Sequence, residues 1–179
     1  MQEWKIKETK ETKKRRIAWV FTVCLIAFSI VFGSYRHFNN MRADGANILS
    51  DTVLPSINVR LEHAFNMTTI ARRNFESPIT NTLANQIRAI EDSDDPAVIL
   101  ALHRPLTEYV LQLQSAAANA GMIENDVSFM RSAYLNFSEH DMIIRQSGYN
   151  TRANNFNDEL SRNLGWLVRW LVAPLPTYN

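Results

Sequence analysis

A chain of 179 residues is the length of one domain with room for an appendage, and its single cysteine, Cys24, excludes an intrachain disulfide or a cysteine-based metal site. The net charge of +1 hides a division: residues 1–16 hold seven basic side chains against three acids, while the rest uses arginine only and is acidic by three. A nucleic-acid binder carries a basic face on its folded part, so this balance argues against that partner.

After the basic tail (1–16) comes an uncharged run from Ile17 to Phe32, extended by Gly33, Ser34 and Tyr35 to nineteen residues. As a helix it is about 28 Å long, enough to cross a hydrocarbon core. Trp19 and Tyr35 stand near its two ends, where amphipathic rings prefer the headgroup level. A basic front and a short apolar core also fit a cleaved signal peptide, with Val31-Phe32-Gly33 as its weak site. No Ala-x-Ala follows, and the reading adopted is an uncleaved transmembrane helix over 17–35. Seven basic residues precede the span, and only Arg36 and Arg42 follow closely. This predicts a cytoplasmic amino terminus and an extracytoplasmic body.

The body, 36–163, reads as helices throughout. Pro55 is expected to break or kink what precedes it. A helix from Pro55 to about Phe75 would turn Ile57, Leu61, Phe65 and Thr68 or Thr69 to one side. Ser77-Pro78 and Asp95-Pro96 each pair a capping residue with proline at the first helical position. They open helices over about 78–91 and 96–119, the second partly interrupted by Pro105 and stopped by Gly121. The acidic loop between, Glu91-Asp92-Ser93-Asp94-Asp95, lacks the glycine and closing glutamate of a calcium loop and reads as a solvated junction. The last helix starts near Glu124 or Asn125, with Val127, Met130, Tyr134, Phe137 and Ile144 on one face and a bend at Gly148. Beyond the bend Tyr149, Ala153, Phe156, Leu160, Leu164, Leu167 and Leu171 continue at steps of three and four, predicting one helix to Leu171. Two aromatic–asparagine pairs, Tyr149-Asn150 and Phe156-Asn157, lie seven residues apart and face the same way. Asparagines at such positions imply hydrogen bonds to a neighbouring helix or a polar seam, while Asn154 and Asn155 read as a solvated face. No strand-like alternation occurs. The predicted fold is all-α: an amino-terminal transmembrane helix followed by an antiparallel helical bundle.

Glu139, Tyr149-Asn150, Ala153, Phe156-Asn157 and Leu160 together resemble the carboxy-terminal signature of the LemA family, bacterial membrane-anchored helical proteins. In that signature a glutamate precedes a Tyr-Asn pair by ten positions. An apolar residue, a second Tyr-Asn and an aliphatic residue follow, and Phe156 here replaces the second tyrosine. The family's Phe-Pro falls on Asn163-Leu164, and its arginine-rich stretch on the first helix matches poorly near 60–71. The resemblance covers about thirty residues. It implies a LemA-like bundle in the periplasm, anchored in the inner membrane, and a packing role for the seven motif residues. A buried Glu139 would need an arginine to offset desolvation, and Arg60, Arg72 and Arg73 are the expected partners.

Phosphate loops, dinucleotide fingerprints and haem-attachment motifs are absent. None of His37, His63, His103 and His140 has a glutamate three residues before it, so no di-iron pair is predicted, and these histidines and Asp141 read as surface or capping residues. No catalytic residue, cofactor or metal is expected. The carboxy-terminal segment, 164–179, places Trp166 and Trp170 four apart with only Arg169 charged among leucines and valines. It suits a headgroup region, a neighbouring membrane subunit or a protein core. The functional expectation is a non-enzymatic scaffold or assembly component whose partners are the lipid bilayer and another protein or a second copy. The alternatives are a periplasmic helical sensor module, with a partner supplying its output domain, and an accessory subunit of a larger membrane complex.

Overall fold

In a computed structural model the chain is all-helical, and no strand occurs among the described residues. The structure describes residues 2–178, with side chains from Glu11 onward except Asn163. The basic tail's Lys5, Lys7 and Lys10 therefore lie outside the described side chains, as do Met1 and Asn179. The chain divides into two compact units, Met1–Met41 with Asp158–Ala173, and Arg42–Asn157 with Pro174–Asn179.

Helix α1 spans Gln2–Ile48, continues through a π-helical turn at Leu49–Val53, and passes into α2, Leu54–Asn74. Pro55 was expected to break or kink what precedes it; helical backbone continues through it, but the turn before it is altered. A proline ring inside an α-helix collides with the carbonyl four residues back. Here the preceding turn widens, and the Leu54 N–H donates to Leu49 O, five residues back. The wider turn accommodates the ring, and helical backbone is kept.

Gly45 is also helical. A Cβ there would lie 2.5 Å from Leu175 Cδ1, so the glycine makes room for a leucine from the carboxy-terminal end.

In the unit containing residues 42–157, α2 packs chiefly on α6, Glu124–Gln146. The two run antiparallel, since Arg60 early in α2 meets Asp141 late in α6, and Arg73 late in α2 meets Asp126 early in α6. Helix α3 (Pro78–Glu91) packs on α2 and on α5 (Leu106–Ala118), and α4 (Pro96–His103) packs on α3. The expected 96–119 helix is two helices, because Pro105 ends the intrahelical bonding of the first. Asp95 caps α4 by accepting from Ala97 N. At α3 the cap comes instead from Thr80 Oγ1 and Thr80 N–H, both donating to Ser77 O.

Ile57, Leu61, Ala64, Met67 and Ala71 of α2 face Met130, Ala133 and Phe137 of α6 at the centre of the core. Phe65 and Val127 were expected on these stripes and are instead 55% and 49% exposed. Each sits one helical position, about 100°, away from a residue that takes the inward place: Ala64 for Phe65 and Asp126 for Val127.

In the other unit, side chains 11–30 of α1 are exposed throughout, and the apolar run is long enough to cross a membrane, with 6% of its most apolar window buried. Cover begins at its end. Ser34 and Phe38 are buried, and Val31 and Met41 half-buried, at steps of three and four along one face.

The predicted single helix to Leu171 is corrected here. Helix α7 covers Tyr149–Ser161, a 3-10 turn follows at Asn163–Leu167, and irregular turns lead on from there. Arg162 is extended, and Gly165 folds back under the end of α7. A Cβ on Gly165 would stand 2.5 Å from Leu160 O and 2.6 Å from Glu159 O. Leu160, Val168 and Val172 are buried, whereas Leu164, Trp166, Trp170 and Leu171 are exposed.

Candidate functional site

Three polar arrangements in the second unit stand out against its apolar core. The first surrounds Arg60, which is fully buried. A guanidinium in such a place needs a counter-charge and acceptors, because desolvating it alone costs several kcal/mol. Its Nη1 lies 2.9 Å from Asp141 Oδ1 and 2.7 Å from His103 Nε2, and its Nη2 donates to Thr107 Oγ1 at 2.7 Å. The Phe137 ring lies beneath, 4.1 Å from Cζ. Burial lowers the pKa of Arg60, and Asp141 opposes that shift.

His103 is also fully buried, with its pKa pushed down to about 3 by burial and then by Arg60. It is therefore neutral. Arg60 can only donate, so Nε2 accepts and the ring proton sits on Nδ1. Asp141 is shared, since Arg145 Nε donates to its Oδ2 at 2.7 Å. The pKa of Arg145 rises through that bond.

Glu139, expected to pair with an arginine, is exposed instead, and Asp141 and His103, read as surface residues, carry the cluster. The reason is helical phase. Asp141 stands four after buried Phe137 and three before buried Ile144, whereas Glu139 stands two after Phe137, about 200° around the helix. The same test would have found His103, three after Leu100 and three before Leu106. A second ion pair at the other end of α2 holds Asp126 between Arg73 Nη2 (3.0 Å) and Asn74 Nδ2 (2.7 Å).

The second arrangement uses the motif residues. Tyr149, Ala153, Phe156 and Leu160 are buried as expected. The asparagines bind the chain's own extended carboxy-terminal segment where a helix or polar seam was expected. Asn157 Nδ2 donates to Leu175 O at 2.8 Å, and its Oδ1 accepts from Leu175 N at 2.9 Å, so one amide satisfies both backbone groups of one residue. Asn150 Oδ1 accepts from Tyr178 N at 2.6 Å, and the Tyr149 hydroxyl donates to Pro176 O at 2.6 Å.

The spacing follows from geometry. Seven helical residues rise about 10.5 Å, and three extended residues cover about 10 Å. Asn150 and Asn157 therefore meet Tyr178 and Leu175. Burial raises the Tyr149 pKa to about 12, so its hydroxyl remains a donor. Asn154 and Asn155 are exposed.

The third arrangement is a cavity of about 450 Å³ beside the Arg60 cluster, reached from Thr107, Arg145, Tyr178 and the first turn of α7. Among the described residues no group of three or more His, Cys, Asp or Glu is placed to hold a metal ion. In the other unit the remaining predicted contact residues, Trp166, Arg169 and Trp170, are exposed, and the Trp170 indole donates to Leu167 O at 3.0 Å. No protein-family model, curated protein or solved structure matches the chain, so the LemA resemblance rests on its motif residues alone.

Proposed function

We propose that the protein is a single-pass membrane protein of LemA-like type, acting without catalysis as a scaffold or assembly component. The supporting observation is the exposure of α1: side chains 11–30, which include most of the uncharged run, have no protein cover. Leaving so large an apolar surface in water is unfavourable by roughly 25 cal/mol per Å², and a bilayer removes that cost. The segment that shares a compact unit with this helix exposes Trp166 and Trp170, with Arg169 between them. Such a belt suits the headgroup level and makes the lipid bilayer the first partner. Another protein or a second copy is the second partner. The seven basic residues before the span favour a cytoplasmic tail, an inner-membrane site and a periplasmic body. A reporter active only outside the cytoplasm, fused after Asn179, is expected to work. Activity of a cytoplasmic-only reporter at that position would reverse the orientation, and full release of the protein by alkaline extraction would remove the anchor. The cavity beside Arg60 favours a second reading, a ligand-binding sensor module.

A further inference from the structure

The cavity next to Arg60 is lined by donors whose competing acceptors are already in use. Asn150 Oδ1 is engaged by the Tyr178 N–H, which leaves its amide NH₂ as the free end. Thr107 Oγ1 accepts from Arg60, because a guanidinium can only donate, and this hydroxyl therefore keeps its own proton to give away. Arg104, Arg145 and Thr151 complete the polar wall, and no aspartate or glutamate lines it.

The local charge agrees. Asp141 is shared by two guanidiniums, Arg60 and Arg145, and Arg104 lines the same cavity as Arg145. Arg104 has no carboxylate partner among the described residues. The first turn of α7 adds to this, since the first intrahelical bond runs from Arg152 N to Gly148 O, leaving the N–H groups of Asn150 and Thr151 without intrahelical acceptors.

We propose that this cavity binds a compact oxyanion, the phosphate or carboxylate group of a small ligand or of a lipid head. An oxyanion offers only acceptors and negative charge, the two things the wall lacks. Bidentate guanidinium contact gives it a defined orientation. The cavity is larger than one such group, so the ligand carries a further small moiety. The proposal goes beyond anchoring and assembly and does not depend on which side of a membrane the body occupies.

The test uses the full chain in phosphatidylcholine nanodiscs, titrated with inorganic phosphate and separately with acetate at fixed ionic strength. The readouts are melting temperature and the backbone amide resonances of Asn150 and Thr151. At least one of the two anions should give a saturable rise in melting temperature and shift both amides. Arg104→Gln should weaken that binding roughly tenfold or more, with the unliganded melting temperature unchanged because Arg104 is exposed. Arg104→Lys should retain part of the affinity. In phosphatidylglycerol nanodiscs an unchanged affinity identifies a soluble ligand, and a competitively weakened one identifies an anionic lipid head as the occupant. The proposal is overturned if neither anion gives a saturable response, or if Arg104→Gln binds as tightly as the parent.

Discussion

Asp141 is one carboxylate neutralising a guanidinium that has no access to water. Removing its charge would strand Arg60 in the core, and losses of about 3–5 kcal/mol accompany such broken pairs. Asp141→Asn should therefore lower stability in chemical denaturation by that amount, while Glu139→Gln, at an exposed site of the same helix, should stay within about 0.5 kcal/mol. Equal effects would show that the cluster is not where the charge matters. His103 sets a pH dependence with a definite sign. Its pKa is about 3 when folded and near 6.5 when unfolded, so between those values the unfolded chain binds the extra proton. The contribution is whole above about pH 6.5 and declines as pH falls toward 3. His103→Gln keeps an acceptor for Arg60 and cannot titrate, so its melting temperature should fall less steeply across that window than the parent's. Parallel acid limbs would exclude His103 as the source.

Element boundaries were legible wherever a local rule sets them. Asp95-Pro96 starts α4 as expected, whereas Pro105, expected only to interrupt a helix, and Gly148, expected only to bend one, each separate two helices, Gly148 at a φ of 68°. Boundaries set by distant contacts were not legible. The stop at Ser161 depends on Gly165 lying against the Leu160 and Glu159 carbonyls, an approach that no periodicity encodes. The sequence placed Tyr149-Asn150 and Phe156-Asn157 on one face, but the partner of the asparagines is backbone in an extended segment, which leaves no side-chain pattern to read. That clamp has its own signature. Asn157→Ala would leave the Leu175 N–H and C=O without acceptor and donor, costing about 1–3 kcal/mol, whereas Asn154→Ala at an exposed position should be close to neutral. The two variants differ only by which turn of α7 loses its amide, so hydrogen exchange at Leu175 N should accelerate in the first alone.

For the molecule as a whole, the all-helical fold and one apolar helix able to cross a membrane were readable from composition and periodicity. The expected long terminal helix was not realised, and of the settings left open for its tryptophans the structure does not show a protein core. Trp166 and Trp170 are 66% and 78% exposed. Replacing both by serine should therefore leave helicity and melting temperature nearly unchanged. In a chain whose Trp4 and Trp19 are changed to phenylalanine, brominated phosphatidylcholine should quench the remaining pair if they lie at the headgroups. Unquenched fluorescence would place them in water or against protein. One further consequence comes from Gly45. The missing side chain that admits Leu175 ties the beginning of the helical array to a segment on its far side in sequence. Closing so long a loop carries an entropic cost that only nearly complete packing offsets. The contact is therefore expected to form late in folding, and Gly45→Ala, which displaces Leu175, should act mainly by raising the unfolding rate and leave the folding rate nearly unchanged in stopped-flow measurements. Leu175 would then work as a bolt that slides home after the helices have assembled.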